Sequence, residues 1–206
     1  MMFEKIQETC QMLEREFDSI PTLRKEILQK IADYVSDKKS QNFPVQLVYI
    51  CTHNSRRSHL GQIWSAVAAC YYNIDDVKTY SGGTEATAFH PNAIKALQSQ
   101  GFVISTEQNS NNPLYKVEYA SNGYTRCFSK VYDDDMNPKS EFAAIMTCSD
   151  AEENCPFIPG VEFKIGTTYE DPKAFDGTLE QDFKYQERSL QIALECLYVF
   201  SLVKNK

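Results

Sequence analysis

Cys51, Arg57 and Ser58 are the residues whose types and spacing point most directly to chemistry. They lie in the run Cys51-Thr52-His53-Asn54-Ser55-Arg56-Arg57-Ser58, directly after the apolar stretch Val45 to Ile50. A cysteine six residues before an arginine, at a strand-to-helix turn, is the layout of an oxyanion-cradling loop. The main-chain N–H groups between Cys51 and Arg57 can curl around one point at the start of the next helix. Cys51 would then sit at the bottom of an anion nest whose N–H groups favour its thiolate. The planar fork of Arg57 matches a tetrahedral oxyanion. Ser58 can hydrogen-bond the sulfur and stabilise it as a leaving group. Thr52, His53, Asn54, Ser55 and Arg56, with Arg57, would line the oxyanion site. Asn54 tolerates a left-handed turn and so reads as the loop organiser, bonded to main chain or to the Ser81 region. His53 and His59 flank the loop as exposed histidines, and His90, before Pro91, reads as a helix-entry residue.

A thiolate that displaces an oxygen from a tetrahedral centre needs an acid to protonate the departing oxygen. Such an acid is worth about 10²–10⁴ in rate. Asp171, in Tyr169-Glu170-Asp171-Pro172, is the candidate, because the following proline stiffens its loop. A plain turn aspartate is the alternative reading. Cys148 and Cys155 flank a short acidic segment expected to be helical, and their separation permits a disulfide once the intervening turn loosens. Cys10, Cys70, Cys127 and Cys196 fall on helix or strand patterns and read as core. Asp133-Asp134-Asp135 reads as a solvated turn, since no further ligand follows at metal spacing.

The elements that must position these groups follow from periodicity. A helical stripe over residues 3–17 and a second amphipathic helix over about 21–35, ended by the polar run Ser36 to Asn42, form an N-terminal helical hairpin over 1–44. Packing against the sheet is its expected role; a lid over the loop is the alternative. Residues 45–206 then alternate strand and helix: strands at 45–50, 77–82, 142–147 and 161–165, helices at 58–72, 91–100 and 178–203. This pattern predicts an α/β, flavodoxin-like fold. Its four-stranded parallel sheet has order 2-1-3-4 and helices on both faces, with the ligand at the carboxyl ends of the strands. Leu114 to Tyr119 and Tyr124 to Tyr132, joined at Ser121-Asn122-Gly123, read as a β-hairpin inserted at about 111–140.

The chain has 206 residues, a formal net charge of −7 and seven cysteines. The acidic balance argues against nucleic acid or anionic lipid as partner. An odd cysteine count with no zinc-type pairs argues against a disulfide scaffold, and no apolar run reaches membrane length. A cytoplasmic location, without membrane, metal or cofactor, is expected.

The segment VYICTHNSRRSHLGQIW resembles the active-site loop of the low-molecular-weight protein tyrosine phosphatases and of the thioredoxin-coupled arsenate reductases on the same fold. The resemblance continues through Tyr80-Ser81-Gly82-Gly83, His90-Pro91-Asn92-Ala93, Ile145 to Pro156 and Glu170-Asp171-Pro172. It spans roughly residues 45–203, a phosphatase-like catalytic domain. It implies Cys51 as nucleophile, Arg57 as oxyanion ligand and Asp171 as general acid. The reductase branch further implies a relay. Cys148 attacks Cys51, Cys155 then attacks Cys148, and thioredoxin reduces the resulting disulfide. On that reading the substrate is arsenate. The phosphatase branch implies a phosphate monoester and a phosphocysteine intermediate. Two positions depart from the pattern. Arg56 stands where many members have a second cysteine. Gln62 replaces a glutamate of the potassium-binding reductases, so no potassium dependence is predicted.

Overall fold

A computed structural model describes residues 1–108, 110–154 and 157–204. Its first elements are the helices α1 (Glu4–Glu14) and α2 (Thr22–Ser40), separated by a short 3₁₀ turn. Pro21 serves as the α2 cap, where its missing N–H costs nothing. The helix runs through Ser36 to Ser40, past the polar stretch expected to end it, and stops where Asn42 turns left-handed at φ 58°.

Four parallel strands form the central sheet: β1 (Val45–Cys51), β2 (Val77–Gly83), β6 (Phe142–Met146) and β7 (Val161–Gly166). Their order is β2-β1-β6-β7, the expected 2-1-3-4 arrangement among the parallel strands. The two central strands, β1 and β6, are near-continuous apolar runs because both of their faces are covered. The covering helices are α3 (Arg57–Tyr71), α4 (Pro91–Ser99), α5 (Ser149–Asn154) and α6 (Gln181–Lys204), together with α1 and α2. Trp64 of α3 is fully buried and donates its indole N–H to Ser189 Oγ of α6 at 2.9 Å. Ile6, Cys10, Leu28 and Ile31 of the first two helices belong to the same apolar cluster as Leu60, Trp64 and Phe200. Burying each side chain of this size stabilises the fold by about 1.5–3 kcal/mol.

The inserted hairpin has a third strand. β3 (Val103–Gln108), β4 (Leu114–Ala120) and β5 (Gly123–Cys127) make an antiparallel sheet beside the parallel one. β5 stops at Cys127 rather than continuing to Tyr132; Val131 instead makes an isolated parallel bridge with Gly83. No described helix is long and apolar enough to cross a membrane.

Candidate active site

β1 ends at Cys51 and α3 begins at Arg57, so the intervening loop lies at the carboxyl edge of the sheet, between β2 and β6. Its carbonyls face outward and are satisfied there. Cys51 O accepts from Thr84 N–H at 3.2 Å and Thr52 O from Glu85 N–H at 2.8 Å. His53 O accepts from Thr87 Oγ1 at 3.1 Å and Ser129 Oγ at 3.0 Å, and Ser55 O from His90 N–H at 2.9 Å. By contrast, among the described residues the main-chain N–H groups of 52–56 donate to no protein acceptor. Donors inward with acceptors anchored outward is what an anion nest requires. Gly83 permits this wrap, because a Cβ there would meet Thr52 O at 2.6 Å and Asn54 N at 2.7 Å.

Asn54 organises the turn at φ 42°, a conformation asparagine tolerates. As expected its side chain bonds main chain, here that of Lys130 rather than of the Ser81 region. It donates to Ser58 Oγ at 2.8 Å and accepts from Lys130 N–H at 2.9 Å. Ser58 Oγ lies 3.1 Å from Cys51 Sγ, so Asn54, Ser58 and the sulfur form one buried chain of contacts.

Arg57 reaches the loop that carries Asp171. Nη1 donates to Tyr169 O at 2.7 Å and Nη2 to Asp171 Oδ2 at 2.6 Å. Its buried Nε has no partner among the described residues, leaving one edge of the fork for a ligand. Asp171 also caps the 3₁₀ turn Pro172–Phe175, its Oδ1 accepting from Lys173 N–H at 3.0 Å.

Arg56 turns away from the nest. Its Nε donates to Tyr185 OH at 2.7 Å and lies 4.0 Å from Asp171 Oδ1, and Nη2 pairs with Asp176 at 3.4 Å, so its guanidinium ties α6 to the segment that carries these two carboxylates. His59 is likewise not the exposed flanking residue expected. It is fully buried in α3 with Nδ1 3.1 Å from Ser81 Oγ, and burial with Lys130 nearby pushes its pKa well below the usual value. His53 is half exposed near Glu85, and His90 caps α4 by accepting from Asn92 N–H. Gln62 is fully engaged, accepting from Ser81 Oγ and donating to Thr125 Oγ1 and Arg126 O. His53, Ser55, Arg56, His90 and Lys173 line a hollow of about 280 Å³ beside the loop.

Cys148 follows β6 and caps α5, its sulfur accepting from Ala151 N–H at 3.4 Å. Cys51 and Cys148 share a small buried cluster with Ile50, Met146 and Ala151. Thr52 bridges the two segments: its hydroxyl lies 3.5 Å from Cys148 Sγ and donates to Asp150 Oδ2 at 2.6 Å. The structure thus brings Cys51, Arg57, Ser58, Asp171 and Cys148 to one end of the sheet, whereas Cys155 lies outside the described residues. The side-chain role of Thr52, the anchoring by Lys130 and the Tyr169 carbonyl had no local sequence signal, since each depends on partners dozens of residues away.

No protein-family model matches the chain. Over 142 residues it is 28% identical to the arsenate reductase of Bacillus subtilis, covering 69% of this chain and 84% of that one. A solved structure described as an arsenate reductase in the phosphate binding state superposes with a TM-score of 0.51 at 16% identity, over 76% of this chain and 97% of that one. The low-molecular-weight protein tyrosine phosphatase of T. tengcongensis superposes with a TM-score of 0.50 at 10% identity, over 76% and 98%. With this loop at the head of this sheet, the chain is similar in sequence to the arsenate reductases and has the fold they share with the low-molecular-weight protein tyrosine phosphatases.

Proposed function

We propose that the protein reduces arsenate to arsenite through Cys51, Cys148 and Cys155, with thioredoxin as reductant, in the cytoplasm. The observation that carries this reading is the placement of Cys148 in the same buried cluster as Cys51, its sulfur 3.5 Å from the hydroxyl of the next residue, Thr52.

An oxyanion enters the nest and takes the free edge of Arg57. Competition for that guanidinium loosens its pairing with Asp171, which then protonates the departing oxygen. The Cys51 thiolate forms a bond to arsenic(V) and water leaves. Cys148, as thiolate, next attacks Cys51 Sγ. The sulfur–arsenic bond breaks, its electron pair stays on arsenic, and arsenite departs as the Cys51–Cys148 disulfide forms. Cys155 attacks Cys148 Sγ, returning Cys51 as thiolate. A dithiol of the thioredoxin type supplies two electrons to reduce the Cys148–Cys155 disulfide. Ser58, bonded to both Asn54 and the sulfur, steadies Cys51 whenever it is a leaving group.

The second reading is hydrolysis of a phosphate monoester using Cys51, Arg57 and Asp171 alone, with water releasing the phosphocysteine. The Arg57–Asp171 contact serves it equally well, so weak phosphatase activity separates nothing. Mass spectrometry after arsenate turnover does. A Cys148–Cys155 disulfide, and a Cys51–Cys148 disulfide trapped in Cys155→Ser, are expected. Normal thioredoxin-driven reduction by both Cys148→Ser and Cys155→Ser would end the relay.

A further inference from the structure

Helix α2 carries no residue of the proposed mechanism, yet one of its side chains is linked through α6 to the loop that holds Asp171. Arg24 Nε donates to Glu195 Oε1 at 3.0 Å and Nη2 to Glu195 Oε2 at 2.8 Å, a bidentate pair with the carboxylate buried in α6. Tyr169 OH donates to the same Oε2 at 2.7 Å, and the Arg24 guanidinium lies 4.9 Å from the Tyr169 ring centroid. Tyr169 is buried, with its N–H bonded to Thr147 O at 3.1 Å. Its carbonyl is the acceptor that holds Arg57 Nη1, and Asp171 follows two residues later. An unbroken chain of contacts therefore runs from Arg24 through Glu195 and Tyr169 to the guanidinium and carboxylate of the site.

We infer that Arg24 is a positioning residue for this reaction: by clamping Glu195 and Tyr169 it fixes the main chain from which Asp171 acts and on which Arg57 rests. Buried ion pairs contribute little net stability compared with apolar side chains of the same volume, so fastening α2 to α6 does not by itself require this one. An acid misplaced by about 1 Å can cost up to about 10² in rate. The inference rests on the Cys51 chemistry proposed above, with Asp171 as acid.

The test keeps the charge balance. Arg24→Met combined with Glu195→Leu removes the clamp without stranding a buried charge. Tyr169→Phe cuts the last link while leaving the Arg24–Glu195 pair in place, and serves where the double variant fails to fold. Thermal unfolding establishes that each variant is folded. kcat and KM are then measured for aryl phosphates whose leaving groups range from 4-nitrophenol to phenol.

A misplaced acid penalises the poorest leaving group most. The expected result is a fall in kcat for phenyl phosphate about tenfold larger than for 4-nitrophenyl phosphate, with KM within about twofold. Equal slowing of every substrate, or unchanged kinetics in a folded variant, overturns the inference while leaving the proposed function intact. A wild type silent towards both arsenate and aryl phosphates overturns the proposed function, and this inference with it.

Discussion

The loop 51–58 and the segment that begins at Cys148 lie side by side, yet they are built in opposite ways. The loop is anchored from every side, by Thr84, Glu85, Thr87, His90, Ser129 and Lys130, and its sulfur rests on a buried serine. Cys148 heads a six-residue acidic helix whose tie to the loop is the Thr52–Asp150 hydrogen bond. A cradle for a charge that develops during reaction gains by being rigid, because its dipoles are then aimed before the substrate arrives. A cysteine that must bond first to one sulfur and then to another gains by riding on a short element of its own. On the function proposed above, binding and the first covalent step fall to the loop, and electron transfer to its neighbour.

Removing the nucleophile abolishes the function of both regions. Cys51→Ser should lower arsenate reduction and aryl phosphate hydrolysis alike by more than about 10³-fold, measured by arsenite release and phenolate absorbance. Cys148→Ser should separate the regions, stopping repeated arsenate turnover by about 10²-fold or more while hydrolysis stays within about threefold. Equal loss of both activities would mean that Cys148 belongs to the cradle. Asn54→Ala probes the cradle's rigidity. It removes the bonds to Ser58 and Lys130 at a positive φ and should cost about 1–3 kcal/mol in denaturant unfolding, with kcat down about tenfold. The smallest effect concerns His59, behind the loop. Its folded pKa is depressed by burial and by Lys130, so at neutral pH both folded and unfolded forms are uncharged. Below about pH 6.5 the unfolded chain takes up a proton that the folded chain resists. Stability should therefore fall by up to about 1.4 kcal/mol per pH unit as pH drops below that point. His59→Gln should lessen the slope; an unchanged slope would place its source elsewhere.

Much of this arrangement was legible in the sequence because its signals are local. The run Val45 to Ile50 reads as a buried strand, and the residues after it carry the cysteine, arginine and serine in one turn. The strand–helix alternation fixes the parallel order, and Asp-Pro marks the acid loop. What escaped depends on distance or on the lack of a buried face. β3 was missed because most of its residues are exposed on an outer strand, which leaves no alternation to read. His59 looked like a loop residue because its partner Ser81 is brought in by another strand. Arg56 read as part of the oxyanion site, and only folding brings Tyr185 and Asp176 to it, 129 and 120 residues away. Arg24 and Glu195 are 171 residues apart, and no spacing rule joins them.

The inward ring of amide hydrogens has a consequence for discrimination. Such a bowl gauges the size, shape and charge of a guest, and arsenate and phosphate differ little in any of these. The far more plentiful ion in a cell is therefore a standing occupant of the same seat, and selectivity has to arise after seating. Arsenic bonded to sulfur can keep the electron pair when a second thiol arrives, whereas phosphorus cannot be reduced in this way. On the proposed relay the neighbouring cysteine is the judge of identity, telling the two elements apart by their redox chemistry rather than by their fit.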